Sequence, residues 1–337
     1  MRSGCSPSGA VFLIECTYAS IKEIISNQYC KEKQMKKLLA VMLAVLLAVS
    51  FCSCGKSGGK EAGPITVTDQ MGNEVTLEKV PEKVVVLTAA PCEIIFALGA
   101  GDKIIARGKY CDYPEEALAI RETGSAQDTN IEDIISMEPD LVIWDSMGQT
   151  QEQYDALTAA GIPVLSTNAD TFETTYESIL LIGKVLGKDA EAEKLVADMK
   201  TGLEEVAAQA KEAGIEGKTV YFEVSPLQWG LWSAGSDTFM QEIADIVGLK
   251  NIFDDVSGWV EVSEEQVIER NPDYIVTITM YYGEGPRPEE EIMSRQGWEN
   301  VTAVKDGNIL CIDTNLLSRP TPRLVDGAKT LLEFITR

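Results

Sequence analysis

A chain of 337 residues with 45% apolar and 24% charged side chains can bury one large core or two medium ones, in proportions ordinary for a soluble globular protein. Its 53 acidic against 29 basic residues give a formal charge of −24, which repels nucleic acid and excludes nucleic-acid binding. The absence of any histidine removes Ser-His-Asp and Cys-His catalysis and the commonest ligand for zinc, copper or nickel, so a receptor for bare transition-metal ions is not expected.

Met35-Lys36-Lys37 followed by the apolar run Leu38–Phe51 has the pattern of a secretory signal. The run of 14 residues falls short of the roughly 20 that a spanning helix needs. Ser53 before Cys54 is similar to a bacterial lipoprotein cleavage site, so Cys54 is the expected lipidated residue. Residues 1–34 are read as an upstream extension, 35–53 as the signal and 54–63, rich in Gly, Ser and Lys, as a flexible tether. Residues 54–337 then carry a formal charge of −27. Of the cysteines after Cys54, Cys92, Cys111 and Cys311, none forms a C-x-x-C pair, and the pairing of the thiols stays open.

Ile65–Thr68 and Glu74–Leu77 flank a turn at Met71-Gly72-Asn73 and predict a hairpin. Val84–Leu87 reads as a buried parallel strand, with a helix from about Cys92 to Leu98 after Pro91. Strand, turn and helix recur through Asn168, so 64–168 is expected to be one α/β lobe. Leu195, Met199, Leu203, Val206 and Ala210 recur at helical spacing and predict a helix over 189–213, with Asp189 as N-cap, within a helical region 169–213. At 1.5 Å per residue it spans roughly 37 Å, long enough for a strut between lobes or a plain surface helix. Residues 214–337 form a second α/β set, with a helix over 237–247. Gly217-Lys218-Thr219 imitates the end of a phosphate loop, but Glu212 stands where that loop needs glycine, so the segment is read as the start of a strand.

One unit occurs twice. Asn130 stands nine positions before Pro139-Asp140 and the strand Leu141–Trp144, and Ser263 stands nine positions before Pro272-Asp273 and the strand Tyr274–Ile278. Ser263 with Gln266 fits a capping box and Asn130 with Asp133 a weaker one, which argues for two related lobes.

Four segments in order carry a family resemblance: Ile65–Asn73 with Val84–Leu87, Tyr110-Cys111-Asp112-Tyr113-Pro114-Glu115-Glu116-Ala117, the two Pro-Asp units, and Ser318-Arg319-Pro320-Thr321-Pro322-Arg323. Over 64–337 the chain resembles the type III periplasmic-binding family, which serves cobalamin, ferric siderophores and haem. The resemblance implies two α/β lobes with central sheets joined by one long helix, and a largely preformed ligand cleft between them. It implies no catalysis and no resident cofactor or metal: the ligand is a metal chelate, with cobalamin ahead of a ferric siderophore or haem. The implied partners are an ABC permease and its ATPase, with a monomer held to the bacterial membrane by the lipid anchor alone.

Tyr110 and Trp259 match ligand-contacting aromatics of cobalamin binders, and Trp232 can supply another flat face. Arg319, and after it Arg323, is placed to meet an acidic ligand group by paired hydrogen bonds, or else to serve a surface ion pair. Where cobalamin binders carry further aromatics this chain has Ala126 and Asn315-Leu316. Trp144 and Trp229 are expected in the core, and Trp298 in packing or at the surface. Glu132 and Glu265, two residues after equivalent caps, match the family's permease-docking glutamates, although helix-dipole stabilisation alone accounts for acidic residues there. Two other classes stay open: a carboxylate-dependent extracellular enzyme, and a lipid-anchored sensor or adhesin without an importer.

Overall fold

The computed structural model describes residues 63–279 and 285–337. The upstream extension 1–34, the signal 35–53, Cys54 and all of the tether but Gly63 lie outside the described residues. A hairpin of β1 (Ile65–Thr68) and β2 (Glu74–Leu77) opens the chain, its turn closed by the Asp69 carboxylate, which accepts the N–H groups of Met71 and Asn73.

Runs of β-branched and apolar residues then build a parallel sheet. The first lobe runs β3 (Val84–Val86), α1 (Ala89–Ala97), β4 (Ile104–Arg107), α2 (Ile131–Ser136), β5 (Leu141–Asp145), α3 (Gln151–Ala159), β6 (Val164–Thr167) and α4 (Phe172–Val185). Its strand order is β4-β3-β5-β6. Because side chains alternate across a pleated sheet, Val84 and Val86 enter one apolar cluster and Val85 another on the opposite face. Helix α1 begins at Ala89 rather than near Cys92. Pro91 falls in its first turn, where the N–H that proline lacks has no intrahelical partner in any case.

Helix α5 (Asp189–Ala213) follows and stops at Gly214 in the left-handed conformation. Its N-cap is Lys188, not Asp189, which sits in the first turn without capping. The helix buries Ala192, Val196, Met199, Leu203, Val206 and Ala210 along one stripe, with Leu195 half-buried beside it.

The second lobe runs β7 (Thr219–Glu223), β8 (Leu231–Ala234), α6 (Phe239–Ile246), β9 (Lys250–Asn251), β10 (Trp259–Val262), α7 (Glu264–Arg270), β11 (Tyr274–Thr277), α8 (Pro288–Ser294), α9 (Thr302–Asp306), β12 (Ile309–Cys311), α10 (Thr314–Leu317) and α11 (Leu324–Ile335). Its parallel sheet has the order β12-β11-β7-β9, with β8 and β10 as a separate antiparallel ribbon. One apolar cluster passes from Val86 and Ile179 through Met199 and Leu203 to Phe222, Ile243 and Leu331, so α5 shares its core with both sheets. It touches the second lobe closely where Val325 lies over Gly202; a Cβ there would come within 2.7 Å of the valine Cγ1.

The repeated unit has a definite mechanical role. The Asn130 side chain accepts the Asp133 N–H at 3.0 Å, and Ser263 with Gln266 closes a full capping box. Each Pro-Asp carboxylate then reaches sideways to the first strand of its sheet. Asp140 accepts the N–H groups of Glu82 and Lys83, both at 2.9 Å, and Asp273 accepts Thr219 N–H at 2.9 Å and its hydroxyl at 3.0 Å. Both aspartates thus fix the start of a strand (β3 or β7) that pairs in parallel with their own.

Candidate ligand cleft

In a parallel sheet all the strand carboxyl ends, and the loops that leave them, lie along one edge, the usual place for a ligand in open α/β folds. On the first lobe that edge carries Tyr110, 59% exposed. Its loop is held from below: the Arg107 guanidinium donates to the carbonyls of Gly108 (3.0 Å) and Lys109 (3.2 Å), and the Cys111 thiol is buried against Val86 O. The loop can cross β3 only because residue 108 is glycine; a Cβ would sit 2.0 Å from Leu87 O. Met147, in the loop after β5, is 81% exposed. Cys92, Cys111 and Cys311 are free thiols. Contact with Cys92 and burial push the Cys111 thiol far up, and burial pushes Cys311 up, so neither is a reactive thiolate.

Asp145 ends β5 beside that loop. Burial raises its carboxyl to about 6, even though the Met147 N–H and Thr88 stabilise the charge. A raised carboxylate stabilises fully below its unfolded value near 4, and that stability is lost as pH rises through 6. Asp145→Asn keeps an acceptor for Met147 and should therefore stabilise the protein by about 1–2 kcal/mol at pH 7.5 and by almost nothing at pH 4. Urea unfolding at the two pH values checks this; an equal effect at both disproves the burial argument.

On the second lobe the edge opens into a cavity of about 780 Å³ whose walls include Ser225, Leu227, Trp229, Thr279, Glu223 and Glu291. Trp229 is 74% exposed, which corrects the expectation that it lies in the core. Trp232 on β8 is 40% exposed. Its partner across the ribbon is Glu261, while Trp259 faces Ala234, so the two tryptophans share one face as diagonal neighbours. Trp259 is only half-buried but committed: its indole N–H donates to Asp170 at 3.0 Å and its ring meets Phe239 edge-on at 5.4 Å. Trp144 and Trp298 are both buried, donating to Ser166 and Glu264.

The lobes are tied where these edges meet. Arg319, 9% exposed, donates to Glu93 of α1 at 2.9 Å and to Asp112 of the Tyr110 loop at 2.7 Å. Arg323 lies 3.4 Å from Glu93 and stacks over Tyr113 at 4.0 Å. Burial raises Glu93 against the pull of both arginines. Arg319 is thus spent on a buried ion pair between lobes, neither a free ligand contact nor the surface pair expected of a lone arginine. A second tie joins Phe239 N–H to Asp170 O and Phe172 N–H to Glu242, both at 2.6 Å.

Glu132 and Glu265 are exposed in the first turns of α2 and α7, on different lobes. Glu132 borders a depression of about 500 Å³ with Thr150, Glu152 and Gln153. The Glu265 carboxyl is held below the usual range by its own N–H and the Ser263 hydroxyl. Among the described residues no group of three or more His, Cys, Asp or Glu is arranged to hold a metal ion, and no helix is long and apolar enough to cross a membrane.

Two α/β lobes on a single rigid helix, with aromatic side chains presented along the strand ends, define a two-lobed ligand-binding protein. Residues 84–316 match the family described as periplasmic binding protein. The chain belongs to that family, whose members are transport components rather than enzymes. It is 36% identical over 279 residues to the "uncharacterized ABC transporter substrate-binding lipoprotein YvrC" of Bacillus subtilis (strain 168), an alignment covering 82% of this chain and 86% of the relative. A "vitamin B12-binding protein" of Salmonella typhimurium is 28% identical over 257 residues, 75% of this chain and 90% of its own. The crystal structure of "a possible" iron-binding, periplasmic solute-binding protein from Staphylococcus epidermidis superposes with a TM-score of 0.67 at 28% identity, covering 77% of this chain and all of that one.

Proposed function

We propose that this protein is the extracytoplasmic solute-binding lipoprotein of an ABC importer, which captures a bulky metal chelate, a corrinoid ahead of a ferric siderophore or haem, and hands it to the permease and ATPase. The observation that supports the reading is the exposure of Tyr110 at the strand ends of the first sheet and of Trp229 in the wall of the cavity of about 780 Å³ at those of the second, with Trp232 exposed on the β8–β10 ribbon. Broad planar faces are what such exposed rings cover, and cavities of 300–1,000 Å³ are the common size for organic ligands. The Salmonella relative's name favours a corrinoid and the Staphylococcus structure an iron compound. Attachment through Cys54 agrees with the Bacillus relative being named a lipoprotein.

Glu132 and Glu265, one per lobe and both exposed, are read as the permease contacts. No residue is assigned a catalytic role, and the protein is expected to act as a monomer. Titration of the five tryptophans' fluorescence with cyanocobalamin, haem and ferric hydroxamates tests the reading. A ligand in the cleft should quench Trp229 and Trp232, and Trp229→Ala should weaken it about tenfold, the 1–1.5 kcal/mol of one aromatic contact. No response to any chelate would overturn the proposal.

A further inference from the structure

The walls of the second-lobe cavity contain two ionisable side chains among the described residues, Glu223 and Glu291, and both are carboxylates. The cation that both carboxylates bind, Arg295, has a side chain only 1% exposed and is fully engaged. Its Nε donates to both Glu291 oxygens at 3.1 Å, Nη1 to Glu223 Oε2 at 2.6 Å, and Nη2 to Glu223 Oε1 at 3.0 Å and Glu291 Oε2 at 2.5 Å. The guanidinium also lies over the Trp298 ring at 4.7 Å, which fixes its plane.

Two carboxylates against one guanidinium leave an excess negative charge. Glu223 is 1% exposed and faces inward, whereas 37% of the Glu291 side chain is open, so the excess is felt from Glu291. The other arginines nearby are paired with carboxylates of their own: Arg287, between the wall residues Pro286 and Pro288, lies 3.4 Å from Glu289, Arg319 is held by Glu93 and Asp112, and Arg323 lies within 3.6 Å of Asp313 as well as near Glu93. The remaining polar side chains of the wall among the described residues, the hydroxyls of Ser225, Thr279 and Thr314 and the carboxamide of Gln228, accept or donate without charge.

We propose that Glu291 is a specificity-determining residue: it makes the second-lobe half of the cleft accept an uncharged, N–H-bearing face such as a carboxamide, and reject a chelate that presents carboxylate or catecholate there. The inference rests on the chelate-binding reading above and adds the sign of the ligand's charge to it. A carboxamide gives Glu291 a hydrogen-bond donor, while a carboxylate of the same shape gives it a like charge at close range in a site partly shielded from water.

The test uses ligand pairs matched in shape and differing in charge. Cyanocobalamin is compared with its monocarboxylic acids, each with one side-chain amide hydrolysed, and a neutral ferric trihydroxamate with an anionic ferric tricatecholate. The protein should bind at least one of the acids about tenfold more weakly than cyanocobalamin, and the tricatecholate more weakly than the trihydroxamate. Glu291→Gln, which keeps an acceptor for Arg295, should bring each pair within about threefold. Glu333→Gln, on an exposed position of α11 outside the cavity, removes the same charge and should change nothing. Should Glu291→Gln fold poorly, raising salt from about 50 mM to about 500 mM with the unaltered protein replaces it, since screening should shrink the preference in the same way. Equal binding within both pairs, or a preference untouched by Glu291→Gln and by salt, overturns the charge selection while leaving chelate capture intact. If none of these chelates binds, the chelate reading falls and this inference with it.

Discussion

Replacing Arg319 with methionine should destabilise the protein by about 3 kcal/mol, the lower end of the cost of breaking a buried ion pair by removing one partner. The penalty comes from Glu93, which is 3% exposed and would be left with Arg323 at 3.4 Å as its remaining cation. Hence the double variant Glu93→Gln/Arg319→Met should recover most of the loss, because no charge is then stranded. The effect should also depend on pH. Burial already raises the Glu93 carboxyl, and without Arg319 it rises further, so the variant's stability is fully present in acid and lost as pH climbs through that raised value. Urea unfolding should show a larger deficit at pH 8 than at pH 5; an equal deficit at both, with no rescue in the double variant, means that Arg319 acts by packing alone. Because the same guanidinium holds Asp112, the Tyr110 loop should loosen with it.

How much of this could be read in advance follows the range of the interaction. The bounds of α5 depend on a periodic stripe, and the capping pair Ser263 and Gln266 on residues three apart; both signals are local, and the structure has both. The Pro-Asp repeat marked where the strands begin, although nothing local told that Asp140 and Asp273 would clasp a neighbouring strand. The pairing of Arg319 with Glu93 spans 226 positions and that of Arg295 with Glu223 spans 72, so neither is visible locally; only the Glu291–Arg295 pair, four residues apart, has a local signal. Trp229 stands two residues from Leu227 and Leu231, an apolar setting that argues for burial; only the short 3-10 turn Leu227–Trp229 turns its side chain outward. Met147 has no aromatic or charged signature at all, and its exposure follows from its place at a strand end. Local grammar therefore specified the lobes, and the cleft depended on contacts that the grammar does not encode.

On the docking reading proposed above, Glu132→Ala/Glu265→Ala should lower chelate uptake by cells at least a hundredfold while leaving the purified protein's affinity within about twofold. Both carboxylates are exposed, sit at helix starts on different lobes, and belong to neither wall of the second-lobe cavity. Each should cost no more than about 1 kcal/mol of stability through the lost dipole interaction. A single close charge pair across an interface is worth on the order of 1.5 kcal/mol or more, so each single variant should lose about tenfold and the pair should lose the product. With one contact per lobe, the two also fix the orientation in which the cleft meets the permease, and either alone leaves the protein free to pivot. Charge reversal separates this from the helix-dipole role that the same positions would serve on their own. Glu265→Lys is mildly destabilising on either account, but it abolishes uptake only if a cationic site on the partner has to be met. If uptake by the double alanine variant stays within a few fold of the parent, the two glutamates stabilise their helices and the importer is engaged elsewhere.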